Sequence, residues 1–138
     1  MATRRPAPAS FTEAEAFFAG SSLGLAVFRR VQAVLEQCGP CDLRVARTQV
    51  GWARRRGFAF LWLPGRWLRA PDAEVVLTVA LTRRDPSPRW KEVVQPRPGL
   101  HVHHLELRDA ADVDEEVAQW LREAYAAAGP AAAAGRPG

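Results

Sequence analysis

Apolar residues in the first third of the chain recur every three or four positions, which is the period of an amphipathic helix. The clearest pattern of this kind follows a predicted cap at Ser21 or Ser22 and is ended by Gly39 and Pro40. Its apolar residues are Leu23, Val27, Val31, Val34 and Cys38. A shorter helix precedes it, because Ser10 and Glu13 have the spacing of a capping box. The pattern therefore predicts two helices at the N-terminal end.

From Cys41 onward the period changes to two, which is typical of half-buried strands. Strands are predicted at residues 41–45, 49–53, 57–63, 74–82 and 101–107. The third of these is apolar on both faces and is expected to be central in the sheet. A short extended piece is predicted at Trp67 and Leu68. Residues 83–100 are rich in proline and are expected to form a long irregular loop.

A last helix is predicted to start after Asp112, which has Glu115 at the capping-box position, and to end at Gly129. Strands that follow one another through short turns form antiparallel sheets. The order therefore predicts an α+β fold with two N-terminal helices, an antiparallel sheet of about five strands and one C-terminal helix packed on the sheet. A single domain is expected over residues 10–129, with disordered tails at 1–9 and 130–138.

The composition is that of an ordinary globular protein, with 48% hydrophobic and 25% charged residues. No apolar run reaches the roughly 20 residues that span a membrane, and no signal-peptide pattern is present, so a cytoplasmic protein without a membrane partner is expected. The middle of the chain is basic, but Lys91 is its only lysine. Because the arginines accompany many alanines and prolines, the charge is typical of a GC-rich bacterial genome. Nucleic acid is a possible partner that the charge alone does not favour.

Two short motifs match functional patterns, but their positions disfavour both. Cys38-Gly39-Pro40-Cys41 has the letters of the thioredoxin active site, in which the first cysteine begins a helix. Here Cys38 is expected to end a helix, where the dipole disfavours a thiolate. Residues 56–63 fit the RNA-recognition octapeptide except at the last position. The predicted order of elements differs from that domain, so these aromatic residues are expected to pack in the core.

Three histidines stand close together on the last predicted strand: His101, His103 and His104. With the two cysteines they could supply zinc ligands, but their spacing matches no recognised zinc motif, so neither a metal nor another cofactor is expected. One of them could serve as a general base, since imidazole titrates near neutral pH. The sequence shows no partner for such a base, and catalytic residues remain unassigned.

Four segments resemble DUF5655, a bacterial family of domains of unknown function: Gly57 to Ala59, Ser87 to Glu92, His103 to Leu107 and Asp112 to Tyr125. The resemblance runs from about Phe11 to Ala128. It implies a compact intracellular domain that occurs alone or beside other modules. The resemblance implies neither an activity nor any catalytic residues.

The first functional hypothesis is a non-catalytic binding or interaction module for an anionic ligand or a protein partner. The residues expected to bind are Arg89, Trp90, Lys91, His103 and His104. Arginine suits an anion because it presents a fixed fork of donors, although an ion pair between Arg89 and an acidic residue of the last helix is an equal alternative. The other hypotheses are an enzyme with a histidine base beside Arg89 and a nucleic-acid-binding domain. The oligomeric state is left open.

Overall fold

Six strands form one antiparallel sheet in the part of the chain that the computed structural model describes, which is residues 7–66, 68–69 and 71–129. The helices are α1 (Phe11–Phe17), α2 (Ser22–Cys38) and α3 (Glu115–Ala127). The strands are β1 (Asp42–Val45), β2 (Gln49–Ala53), β3 (Gly57–Trp62), β4 (Val75–Leu81), β5 (Glu92–Arg97) and β6 (Leu100–Leu107). Their order across the sheet is β1-β2-β3-β4-β6-β5, which makes β3 an interior strand. The predicted α+β fold is confirmed.

Most of the two predicted tails, and Trp67 of the predicted extended piece, lie outside the described residues. Leu68 follows a 3-10 turn at Pro64–Arg66 and is half exposed. In the first tail, the N–H of Ala9 donates to the carbonyl of Leu43 at 2.8 Å. Ala9 therefore contacts the edge strand β1.

Alternation along β4 separates a face covered by helices from an open face. The positions predicted to share one face are all fully buried: Val75, Leu77, Val79 and Leu81. On that side Phe28 of α2 stacks on Trp52 of β2, with ring centroids 5.6 Å apart, and α3 packs against β3 and β4. The opposite face carries Val76 and Thr78. The sheet thus has one face against the helices; on the opposite face, which we call the open face, Val76 and Thr78 are also buried, at 6% and 5% exposure.

The strand β5 lies inside the segment that was predicted to be an irregular loop, and that prediction was wrong for residues 92–97. It forms a hairpin with β6 through Gly99, whose φ is 79°. Because β5 is an edge strand with mostly exposed side chains, no apolar alternation marks it in the sequence. An edge also accepts Pro96, since the outer N–H groups of such a strand have no partner strand.

The N-terminal ends of α1 and α2 are capped as predicted, whereas α3 is not. Ser10 forms a capping box at α1, and Ser21 accepts a backbone N–H at α2. Asp112 was predicted to cap α3 but belongs to a separate 3-10 turn, and Asp114 is the cap. The chain makes this extra turn where Val113 enters the core at 2% exposure. None of the described helices has the length and apolar content of a membrane span.

Gly39 ends α2 in a conformation that a residue with a side chain rarely adopts, with φ at 139°. A Cβ at this position would lie 2.5 Å from the hydroxyl of Tyr125, which donates to the carbonyl of Pro40 at 3.0 Å. We expect Gly39→Ala to lower the free energy of unfolding by about 2–4 kcal/mol, because backbone strain adds to a displaced hydrogen bond. Urea denaturation measures this loss. Gly20→Ala is the matched control, since a Cβ there meets no atom within 4 Å. Equal losses in the two variants would contradict the argument.

Candidate functional site

The five residues predicted to bind a ligand do not form one site. In the register between β4 and β6, His103 lies opposite Val79 and His104 lies opposite Thr78. Successive strand residues point to opposite faces, so the two histidines are separated by the sheet. His103 belongs to the covered face, together with Trp90. His104 belongs to the open face, where Lys91 is also found.

Arg89 is bound to the start of α3. Its guanidinium donates to the carboxylate of Glu116 at 2.8 Å, and to the carboxylate of Asp114 and the carbonyl of Asp112 at 3.1 Å. The carboxylates raise the pKa of Arg89, Glu116 more strongly than Asp114. The alternative of an ion pair with an acidic residue of the last helix is therefore confirmed. These bonds engage both terminal nitrogens of the guanidinium and direct it to α3.

A buried polar network surrounds Trp90 and His103. The Nε2 atom of His103 accepts the backbone N–H of Asp85 at 3.0 Å, and its Nδ1 lies 3.1 Å from the carbonyl of His101. This arrangement requires a neutral ring with its proton on Nδ1. The indole of Trp90 donates to the carboxylate of Asp85 at 3.0 Å and packs on Trp120, with ring centroids 4.1 Å apart. Trp90 and His103, which were predicted to bind a ligand, thus join the proline-rich segment to the core.

Lys91 and His104 line a cleft of about 310 Å³ on the open face. Described residues between β3 and β4 form one side of the cleft, and the strands β5 and β6 form the other; on the first side these residues are Pro64, Leu68, Pro71, Asp72 and Ala73. One wall is apolar and includes Trp62, Leu68, Pro71 and Val76. Charged or titratable groups line the rest: Asp72, Lys91, Glu92, His104 and Glu106. We call this hollow the open-face cleft.

Thr78 connects Trp62 and His104 beside the open-face cleft. The indole N–H of Trp62 donates to Oγ1 of Thr78 at 3.2 Å, and this oxygen lies 2.8 Å from Nδ1 of His104. The hydroxyl of Thr78 can donate its O–H to Nδ1, and a neutral imidazole that accepts at Nδ1 carries its proton on Nε2. Among the described groups, none hydrogen-bonds to that Nε2 atom. Burial lowers the pKa of His104, and the carboxylate of Glu92 opposes this shift.

The charges around the open-face cleft are only partly compensated. Lys91 lies 3.2 Å from Asp72, in an exposed pair of the kind that contributes little. Glu106 is reached by Arg108 at 3.5 Å. No cation among the described residues lies within ion-pair distance of Glu92. The cleft is therefore negative on balance, which does not favour an anion there.

A larger hollow of about 650 Å³ lies beside the N-terminus of α2. Its polar side chains already have partners. Ser21 donates to Glu74 at 2.5 Å, Arg66 donates to the carbonyl of Phe17, and Arg108 donates to the carbonyl of Asp72 at 2.8 Å. The smaller open-face cleft is the better candidate because it contains a polar atom that no described group engages.

The cysteine motif stands at the end of α2, as the sequence predicted. Both thiols are free, and Sγ of Cys38 lies 3.6 Å from the carbonyl of Val34. Burial raises the pKa of Cys38 and raises the pKa of Cys41 to about 11. Redox-active cysteines have a lowered pKa instead. The motif therefore acts as a helix stop rather than as a thiolate site.

The aromatic pair of the RNA-recognition octapeptide is divided between the two faces of the sheet. Phe58 is fully buried and packs on Tyr125 of α3, with ring centroids 5.7 Å apart. Phe60 pairs with Thr78 on the open face. An irregular register opposite Trp52 adds one residue at Phe58 and produces this separation. The two rings cannot stack on neighbouring bases from one surface.

No group of three or more histidine, cysteine or acidic side chains in the described part of the chain could hold a metal ion. The cysteines lie next to β1 and the histidines lie on β6, four strand positions away. Because neighbouring strands lie about 4.8 Å apart, this separation is roughly 19 Å. The two sets cannot share one ion.

Four aromatic or acidic residues that line the open-face cleft were not predicted as site residues: Trp62, Asp72, Glu92 and Glu106. Thr78, which lies beside the cleft, was not predicted either. Thr78 offered a signal, since it is the one polar residue inside the apolar run 75–81. Glu106 likewise stands between two apolar residues, Leu105 and Leu107. The sequence does not give the register that brings Thr78 opposite His104, so the cleft could not be assembled from it.

The chain belongs to the family described as Domain of unknown function (DUF5655), whose model matches residues 14–128. The match includes α2, α3 and all six strands, and it confirms the resemblance. A search of curated proteins and a search of solved structures each found no match. The family assigns no activity, so the function must be argued from the geometry.

We expect both cysteines to react slowly with iodoacetamide at about pH 7.5, because their thiols have raised pKa values. The alkylation rate should still increase above about pH 9. Cys38→Ser and Cys41→Ser isolate the two thiols, and mass spectrometry follows each reaction. A rate that reaches its plateau below about pH 8 would show an activated thiolate.

We expect the protein to lose stability as the pH falls from about 7 to 5. Burial lowers the pKa of His103 below its ordinary value of 6.5, so the unfolded chain binds protons first when the pH falls. The pKa of His104 is lowered in the same direction. Urea denaturation over this pH range measures the effect, which should weaken in His103→Gln. A parent protein that gains stability on acidification would contradict the prediction.

Proposed function

We propose that this member of the DUF5655 family is a non-catalytic binding module that holds a small organic ligand in the open-face cleft. The observation that carries the proposal is a cleft of about 310 Å³ in which an apolar wall meets an imidazole nitrogen without a described partner. Ligand sites are typically concave and mostly apolar, with a few convergent polar groups.

Binding fits the cleft better than catalysis does. The enzyme hypothesis required a histidine beside Arg89, but that guanidinium is engaged with α3. The hydroxyl of Thr78 lies next to Nδ1 of His104, but Thr78 is buried and outside the cleft lining, and no described group hydrogen-bonds to Nε2 to orient the ring. A nucleophile needs a base directed at it and a group that orients the base. The cleft lining offers recognition groups without that arrangement.

Nucleic-acid binding is also less well supported. Six arginines of the described chain form ion pairs with carboxylates: Arg29, Arg44, Arg83, Arg89, Arg108 and Arg122. Their charge is compensated within the protein and is less available to phosphates. The open-face cleft is negative on balance and would repel a phosphate backbone.

We also propose a cytoplasmic setting in a bacterium. The composition is rich in arginine, alanine and proline, as expected from a GC-rich bacterial genome. Cys38 and Cys41 are both free, which suits a reducing compartment. This setting would expose the open-face cleft to small metabolites of the cell.

Titration of the ¹⁵N-labelled protein with benzylamine, benzyl alcohol and benzoate tests the cleft with cationic, neutral and anionic probes of similar size. We expect at least one probe to shift the indole N–H resonance of Trp62 and the amide resonances of Val76 and His104. These groups line the cleft or lie at its wall. If none of the three probes shifts them, the proposed function is wrong.

Matched variants locate the binding. Trp62→Leu removes part of the apolar wall and should weaken binding of the best probe at least about fivefold, because an aromatic contact is lost. Phe60→Leu is the control, since this ring lies on the same strand and face but outside the cleft. Leu68→Ser changes an exposed wall residue and leaves the core intact. Equal weakening by the Trp62 and Phe60 variants would contradict binding in the cleft.

A further inference from the structure

The rings and charges of the open-face cleft indicate which chemical class it accepts, and this inference rests on the proposed function. Trp62 and His104 lie side by side in the lining, with ring centroids 6.3 Å apart and planes at 74°. Thr78 is hydrogen-bonded to both rings and fixes their orientation. The two rings therefore form a rigid aromatic corner.

An aromatic corner attracts cations, because the face of an aromatic ring carries negative potential. Tryptophan is the most effective side chain in such contacts. His104 can contribute a second wall only while its ring is neutral, and its partners Thr78 and Trp62 are uncharged. A positively charged imidazole at this position would repel a cation instead.

The carboxylate of Glu92 lies beside this corner. Glu92 is paired with His104 in the register between β5 and β6 and belongs to the same cleft. It has no ion-pair partner among the described residues. Glu106, two residues after His104 on the same face, adds a second carboxylate whose side chain is only 20% exposed. An apolar corner with carboxylates at its edge complements a cation that also carries apolar groups.

The one ammonium in the lining does not reverse this balance. Lys91 lies at the rim with its side chain 54% exposed, and its charge faces Asp72 at 3.2 Å. A strongly hydrated metal cation would not profit from the apolar wall. A cation with alkyl substituents would gain from contact with this wall, because it loses little hydration energy when it enters the cleft.

We propose that the open-face cleft binds a small organic ammonium ion, with the alkylated nitrogen against Trp62 and His104 and beside Glu92. The apolar substituents contact the wall formed by Leu68, Pro71 and Val76. The volume of the cleft suits a free small molecule, since it lies at the lower end of the range for ligand sites.

Three probes of nearly equal shape test the charge preference: choline, 3,3-dimethylbutan-1-ol and 3,3-dimethylbutanoate. The first carries a quaternary nitrogen, the second replaces it with carbon, and the third is an anion. We expect choline to bind about tenfold more tightly than the alcohol, as expected for a cation against aromatic faces. The carboxylate should bind most weakly. The indole N–H resonance of Trp62 reports each titration.

Glu92 and Lys91 are exposed, so each can be replaced without disturbing the core. The two replacements should change the affinity for choline in opposite directions. Glu92→Gln removes the unpaired carboxylate and should weaken choline binding about two- to fivefold, whereas Lys91→Met removes the opposing charge and should strengthen it by a similar factor. Neither change should alter the affinity for 3,3-dimethylbutan-1-ol. Glu36→Gln is the control, because this exposed carboxylate lies on α2 and outside the cleft.

The outcomes separate this inference from the proposed function. Equal affinities for choline and the alcohol, or tighter binding of the carboxylate, would overturn the ammonium assignment and leave the cleft as a binding site. Absence of any shift from these probes and from the benzyl compounds would remove both. Binding to phosphatidylcholine vesicles in sedimentation, without binding of free choline, would overturn the assignment to a small molecule.

Discussion

The register between β4 and β6 determines what each histidine of the last strand can do. With Val79 opposite His103 and Thr78 opposite His104, one ring enters the core and the next faces the open side. Because the side-chain period of a strand is two, a slip by one residue would exchange them. The buried odd positions of β6 prevent that slip, since Leu105 and Leu107 would then face away from the helices. Packing on the covered face thus positions the groups on the open face.

Packing on the covered face also positions the proline-rich segment before β5. Trp90 is held by the carboxylate of Asp85 and by Trp120, and its burial fixes the chain on the covered side. The next residue, Lys91, donates its backbone N–H to the carbonyl of His104 at 2.8 Å and begins the approach to β5. Its side chain consequently reaches the open-face cleft. The structural role of Trp90 and the position of Lys91 at the rim of the open-face cleft are consequences of one anchored turn.

Helices and interior strands could be predicted because their burial leaves a periodic apolar pattern. The edge strand β5 could not, since exposed residues such as Val94 and Pro96 carry no such pattern. For the site, the sequence shows which side chains are polar or aromatic, but it does not show which face of the sheet each side chain occupies. Residues 89–91 and two histidines were expected to bind one ligand, but they lie in different places in the fold. Whether Arg89 points to α3 and Lys91 points to the cleft depends on tertiary contacts that are far apart in sequence.

Tertiary contacts that hold arginines away from the open-face cleft also explain how a basic chain can present an acidic cleft. The formal net charge is +4, but many arginines are bound to carboxylates or carbonyls on the helix side and at the sheet ends. A cationic ligand would gain no long-range attraction from such a protein. At physiological ionic strength charges are screened over about 8 Å, so the distant arginines matter little once a ligand is inside. Selection must then depend on groups in direct contact with it, which are the two rings and the carboxylate of Glu92.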